Sequence, residues 1–167
     1  MPAEPAIHVA PVDASLHDAV LHLRTRPEQD AFVSPTALTL PDAERCPGST
    51  PMAILREQTV VGYYRIEHSA RSITGRDIDA TALGLRSFQI DAQWQGRGFG
   101  RRALTLLLQD MAKRHPAVRR VMLTVGACNT AALALYRRSG FADGIELYHD
   151  GRSGPQYLLW RDLPRPA

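Results

Sequence analysis

The sequence predicts an α/β domain organised around one strand, loop and helix, and three observations carry that prediction. Leu83 to Ile90 is a short strand with apolar residues at the alternate positions Phe88 and Ile90. Phe99, Ala103, Leu104, Leu107, Leu108 and Met111 then recur at three- and four-residue spacing, which gives a long helix with one apolar face. Arg120 to Val125 is nearly continuous in apolar residues, as a strand buried on both faces is. A strand, a helix and a parallel strand form a right-handed crossover, with the loop before the helix at the carboxyl ends of the strands.

The rest of the chain supplies hairpins and helices around that unit. Ile7 to Val12 is a short strand, and Asp13 or Ser15 caps a helix with Leu16, Val20 and Leu23 on one face, ending near Arg26-Pro27. Phe32 to Pro35 breaks regular structure. Thr39-Leu40-Pro41-Asp42 then reads as a capping box that opens a second short helix through Arg45. Cys46 to Pro51 is loop. Met52 to Arg56 and Thr59 to Glu67 are strands joined by a tight turn at Glu57-Gln58, and Gly62 marks a bulge or a close backbone approach. Ser69 to Thr81 is polar and reads as the hairpin loop before Leu83.

His115-Pro116 ends the long helix. Asn129 or Thr130 caps the next helix and Ser139-Gly140 ends it. A strand around Ile145 to His149, a turn at Asp150-Gly151 and a last strand from Pro155 to Arg161 complete the chain. Neither an internal repeat nor a low-complexity segment is present.

Composition bounds the function. The 167 residues suit a single domain, 1–167, at 44% hydrophobic and 22% charged. No apolar run approaches the roughly 20 residues of a membrane span, and the N-terminus lacks the basic start and apolar core of a signal peptide. Cys46 and Cys128 lie far apart and read as free thiols of a reducing cytoplasm; six scattered histidines give no metal-ligand spacing, so no metal is expected. Setting aside Arg97, Arg101 and Arg102 leaves 17 basic against 17 acidic side chains, so the net +3 is accounted for at one loop and no nucleic acid is expected.

That loop is Gln95-Gly96-Arg97-Gly98-Phe99-Gly100. Glycines at alternate positions expose bare amides at a helix start, where free N–H groups and the helix dipole suit a phosphate. No Gly-Lys-Ser/Thr follows, which excludes a nucleotide-triphosphate loop. Gly98 to Ala103 fits the loose dinucleotide fingerprint, yet the strand from Val121 to Val125 ends in Gly126-Ala127-Cys128 with no acid for a ribose.

The loop instead resembles the Q/R-x-x-G-x-G/A signature of the GNAT superfamily of acyl-CoA-dependent N-acyltransferases. Asn129, Leu135-Tyr136 and Gly140-Phe141 resemble its second block, in the right order and spacing. The resemblance implies the GNAT fold: a mixed, mostly antiparallel sheet with a splayed central pair of parallel strands and helices on both faces. It implies acetyl-CoA as co-substrate, bound by Phe88, Gln89 and Ile90 and by Gln95, Gly96, Arg97, Gly98, Phe99, Gly100 and Arg101. Asn129 would contact the pantetheine arm, and Tyr136 would protonate the departing sulfur. The region between the first helix and the first long strand would form the acceptor wall, and a homodimer is allowed.

Thioester-to-amine transfer poses two proton problems: the amine must lose a proton, and a thiolate leaves more easily when given one. Read without the resemblance, Tyr136 is a core aromatic whose hydroxyl bonds to backbone, and Asn129 is a helix cap. Glu67, His68, Asp79 and His149 lie near strand ends and are read as solvated residues, none assigned as the base. Cys128 is read as a small buried residue, since no histidine is placed locally to activate it. Phe32-Val33-Ser34-Pro35, the strand pair Met52-Ala53-Ile54-Leu55 and Val60-Val61-Gly62-Tyr63, and Leu85 to Asp91 resemble the bacterial diamine and spermidine acetyltransferase subgroup. A small-molecule amine of polyamine type is therefore the expected acceptor, and Glu28, Asp30, Asp42, Glu44, Glu67 and Asp79 could line a groove for it. An aminoglycoside, a peptide or protein amine, or a silent CoA-binding module are the alternatives.

Overall fold

The computed structural model describes residues 5–75, 79–148 and 155–165, and among these all side chains except those of Thr74 and 145–148. Seven strands are hydrogen-bonded in the order β1-β2-β3-β4-β5-β7-β6: β1 Ile7–Pro11, β2 Ser49–Arg56, β3 Thr59–Glu67, β4 Ala82–Ile90, β5 Arg120–Gly126, β6 Ala142–Tyr148 and β7 Gln156–Asp162. The helices are α1 Ala14–Leu21, α2 Thr36–Arg45, α3 Arg71–Thr74, α4 Phe99–Arg114 and α5 Thr130–Arg138. The chain divides into two compact units, one of Met1–Arg65 and Ser87–Leu107, the other of Ile66–Arg86 and Leu108–Ala167.

In the first unit β1 pairs antiparallel with β2 from Ile7↔Arg56 to Pro11↔Met52. The predicted cap of α1 is Asp13, whose carboxylate accepts from the amides of Ser15 and Leu16. Val20 and Leu23 enter a core with Leu40, Ala53, Leu55 and Tyr63, and Leu16 packs against it. Gly62 is a close approach: a Cβ there would lie 2.6 Å from the carbonyl oxygen of Gln89.

The expected capping box at Thr39 is corrected. α2 begins four residues earlier, with Pro35 as its N-cap in place of Thr39, and Pro41 lies inside it. Burial explains the override: Thr36, Thr39, Leu40 and Ala43 all lie on the covered side, and Leu40 is fully buried in the core, which outweighs the hydrogen bond that Pro41 cannot make. β2 also begins earlier than expected, at Ser49, and a 3-10 turn at Pro27–Gln29 follows the end of α1.

In the second unit β4 and β5 are the expected parallel pair, in register from Ala82↔Arg120 to Gly84↔Met122. β5 pairs antiparallel with β7 from Arg120↔Asp162 to Gly126↔Gln156, and β6 covers the other side of β7. Ala70, Ala82, Met122 and Leu158 are buried together, with Trp160 against them. The stretch read as plain loop from Ser69 contains the short helix α3, and β6 begins at Ala142, three residues before the expected start. The turn at Asp150-Gly151 lies outside the described residues. No helix among the described residues is long and apolar enough to cross a membrane.

Candidate active site

In the first unit β4 runs straight into the glycine loop. Asp91 organises the turn: its carboxylate accepts from the amides of Gln93 and Arg24, both at 3.0 Å. A 3-10 turn at Ala92–Trp94 follows, then Gly96 and Gly98 at φ 76 and 80, where side chains are strained and glycine is not. A Cβ on Gly98 would find no protein atom within 4 Å, so the space above it is open. The backbone ladder of α4 starts with the bond from Arg102 N–H to the Gly98 carbonyl, which leaves the amides of Phe99, Gly100 and Arg101 ahead of it. Arg97 and Arg101 are exposed beside them. Open space, free amides and two guanidinium groups fit a pyrophosphate.

Three side chains of this region do something the sequence did not disclose. Gln95 exchanges two hydrogen bonds with Gln29, at 2.8 and 3.1 Å, and donates to the Ile90 carbonyl at 2.8 Å, so its amide is engaged within the protein. Arg102 donates to the carbonyl of Pro5 and lies over Phe99, so it is turned to the protein. Trp94 carries Arg56 and Arg97 over its indole, 5.2 and 5.1 Å from the centroid, and meets Phe99 edge-on. Arg97 is thus steadied by an aromatic three residues before it.

Before the loop, Phe88 is half-buried while Gln89 and Ile90 are 5% and 7% exposed. Gln89 and Ile90 are buried in succession, as Ala82 to Leu85 are, and between the two buried runs Ser87 stands at φ 59. Gln89 donates to the carbonyls of Ser87 and Ser34, at 3.2 and 3.3 Å. Nothing in the local sequence signals this turn of the strand.

In the second unit Asn129 caps α5, its side-chain oxygen accepting from the amide of Ala132 at 3.4 Å. Tyr136 lies two turns along the same helix, 8% exposed, with its ring edge-on to Phe141 at 5.5 Å. Burial pushes its phenol well above the ordinary tyrosine value, so the proton stays on through the neutral range.

Of the four residues read as solvated, Glu67 departs from expectation. Glu67 is not solvated: it is 3% exposed and receives Arg86 at 3.4 Å. Asp79 bonds with the hydroxyl and amide of Thr81, which lowers its pKa and makes it a poor proton acceptor. His68 is exposed, with its ring against His115 at 5.4 Å. His149 lies outside the described residues. Cys128 is exposed, not buried, because the turn before Asn129 carries it outward. Among the acids proposed for the acceptor, Asp42 pairs with Arg65 at 2.8 Å and Glu44 with His17 at 3.0 Å, while Glu28 and Asp30 remain exposed around Gln29. The described residues hold no group of three or more histidines, cysteines or acids able to bind a metal.

A sequence model of the acetyltransferase (GNAT) family matches residues 17–141. The chain is 29% identical over 150 residues to the spermine/spermidine N(1)-acetyltransferase of Bacillus subtilis, covering 87% of this chain and 94% of that protein. Among solved structures it superposes on spermidine N-acetyltransferase from Vibrio cholerae, in complex with CoA and spermine, with a TM-score of 0.69 at 13% identity, over 94% and 95% of the two chains. An acetyltransferase from Thermus thermophilus gives 0.69 at 23% identity, over 96% and 99%. With glycine loop, capped helix and family match in agreement, this chain belongs to the GNAT family and is an acetyl-CoA-dependent N-acetyltransferase.

Proposed function

We propose that this enzyme transfers the acetyl group directly to a primary amine of a small molecule of polyamine type. The observation that carries the reading is the 29% identity to a spermine/spermidine N(1)-acetyltransferase across 87% of the chain. Local geometry supports it. Gln29 is tied to Gln95 of the glycine loop, and Glu28 and Asp30 flank Gln29 in the open, so two carboxylates are anchored beside the loop for the distal charge of a polyamine.

Acetyl-CoA, when bound, supplies a thioester whose thiolate can leave. The amides of Phe99, Gly100 and Arg101, with the charges of Arg97 and Arg101, hold its pyrophosphate. Gly96 and Gly98 keep side chains out of the way, and Asn129 takes the pantetheine arm while it caps α5. The backbone of Phe88, Gln89 and Ile90 offers hydrogen bonds to charge developing on the thioester oxygen. Tyr136 keeps its proton because it is buried and gives it to sulfur as the bond to the acyl carbon breaks. The whole chain, 1–167, is read as one enzyme domain of the cytoplasm, with Cys46 and Cys128 unpaired. A homodimer is compatible with this reading, which has no role for nucleic acid or membrane.

Steady-state thiol release with spermidine, a short diamine, an aminoglycoside and an N-terminal peptide tests the acceptor. Spermidine or the diamine should give the highest kcat/KM. Turnover with another acceptor, and none with polyamines above acetyl-CoA hydrolysis, refutes the acceptor class and leaves the acetyltransferase.

A further inference from the structure

Two non-glycine residues among those described take a left-handed backbone, Glu57 at φ 55 and Ser87 at φ 59. Glu57 sits in the tight turn between β2 and β3, where a positive φ is what closes the hairpin. Ser87 sits inside β4, where no turn requires it. Its hydroxyl lies 3.0 Å from Thr39 Oγ1, across from α2. Thr39 is 5% exposed, and its hydroxyl also receives Arg65 Nη1 at 3.4 Å. Arg65 is 2% exposed and donates to Asp42 at 2.8 Å and Ser49 at 3.0 Å, so a buried cation fixes α2 to β2 and β3. The chain of contacts runs from Arg65 through Thr39 to the one strand residue whose backbone is forced.

We infer that Thr39 is a positioning residue for acetyl transfer: its hydroxyl holds Ser87 in the left-handed conformation and so sets the direction of the peptide groups of Phe88, Gln89 and Ile90. The inference rests on the reading that this stretch serves the thioester. Left to itself a serine leaves the left-handed region, because its Cβ crowds the following carbonyl. Relaxation at Ser87 would rotate the peptide planes after it. Hydrogen bonds weaken steeply with angle, and donors aimed at developing charge act only when already in place. Gln89 supports the same turn from the other end, donating to the carbonyls of Ser87 and Ser34. Thr39 and Ser34 thus brace the strand from α2 and its lead-in, which the resemblance places on the acceptor side.

Thr39→Val keeps the side-chain shape and removes the hydroxyl. It should lower kcat by about ten- to a hundredfold, the scale of a misplacement near 1 Å, with a much smaller change in KM for acetyl-CoA. Adding Ser87→Gly to that variant should return most of the lost kcat, because glycine takes the left-handed backbone without a brace. Ser87→Ala and Ser87→Gly, each alone, repeat the comparison should Thr39→Val melt below the assay temperature by circular dichroism: alanine should lose kcat and glycine should largely keep it. Equal losses in the two Ser87 variants would mean that the hydroxyl itself, or packing alone, matters, and would overturn the inference. Parental kcat in a folded Thr39→Val overturns it alone, whereas no turnover in the parent enzyme with any amine overturns the acetyl-transfer reading and this inference with it.

Discussion

Gly98→Ala separates what the glycine loop does for the fold from what it does for the ligand. Gly98 stands at φ 80, and a Cβ there meets no protein atom within 4 Å. The substitution therefore costs stability only through the left-handed backbone, about 1–2 kcal/mol, or roughly 2–4 °C of Tm per kcal/mol in a chain of this size. The methyl group would enter the space read as the pyrophosphate site and push one oxygen off its amide. One charge-assisted hydrogen bond lost is about 1.5–3 kcal/mol, or roughly 10- to 150-fold in Kd. Gly75 supplies the control, with φ 70 and equally open surroundings but no place in the proposed site. Gly75→Ala should lose the same stability and keep the parental affinity. Isothermal titration with acetyl-CoA and thermal melts of both variants make the comparison. Equal Kd values for Gly98→Ala and Gly75→Ala would refute the phosphate cradle, whatever the melts show.

Three further outcomes concern ionisable groups. Tyr136→Phe should lower kcat by about ten- to a thousandfold with acetyl-CoA affinity nearly unchanged, and an unaltered kcat across the pH range removes Tyr136 from the chemistry. The raised pKa of Tyr136 means that above pH 10 the unfolded chain releases a proton the folded chain keeps, so folding stability falls as pH rises, by up to about 1.4 kcal/mol per pH unit. Urea melts from pH 9 to 11.5 should show that slope reduced in Tyr136→Phe. His115 has its pKa lowered by burial, then by His68 and Arg114, so below about pH 6.5 the unfolded chain takes up the proton first and stability falls with acidification. His115→Gln should flatten that acid limb in the same melts.

The elements that the sequence disclosed are those whose signals are local. A helical repeat of apolar residues marked α4, and Phe99, Ala103, Leu104, Leu107, Leu108 and Met111 are all buried. Asp13 and Asn129 announced helix starts because a short polar side chain before an apolar repeat has that use, and both accept from first-turn amides. α2 departs from its local start signal for an equally physical reason. Thr39-Leu40-Pro41-Asp42 carries a start signal in its own right, but the burial of Thr36 and Leu40 by distant strands decides the outcome, and that burial is not written in a four-residue window. The acids of the acceptor side show the same limit. Which carboxylates are free depends on which arginines they meet, and Asp42 meets Arg65 across 23 residues while Glu67 meets Arg86 across 19.

The candidate site divides along the same line. Bare amides at a helix start can be read from glycine spacing, because no tertiary contact is needed to explain a missing side chain. Ser87 could not be read at all. A serine in a strand prefers an extended backbone, and the run from Leu85 to Ile90 offers no glycine, proline or asparagine to mark a change of direction. The partner of its hydroxyl, Thr39, lies 48 residues away and outside any local window, while Gln89 donates to its carbonyl from two residues on. A local preference overridden at one position, by polar contacts that are themselves buried, costs stability and is kept where geometry matters more than stability. On the proposed reading of the site, that is the physical reason for placing the precision of acyl transfer in the contact between α2 and β4, and not in the glycine loop, whose proposed task of holding phosphate would tolerate looser aim.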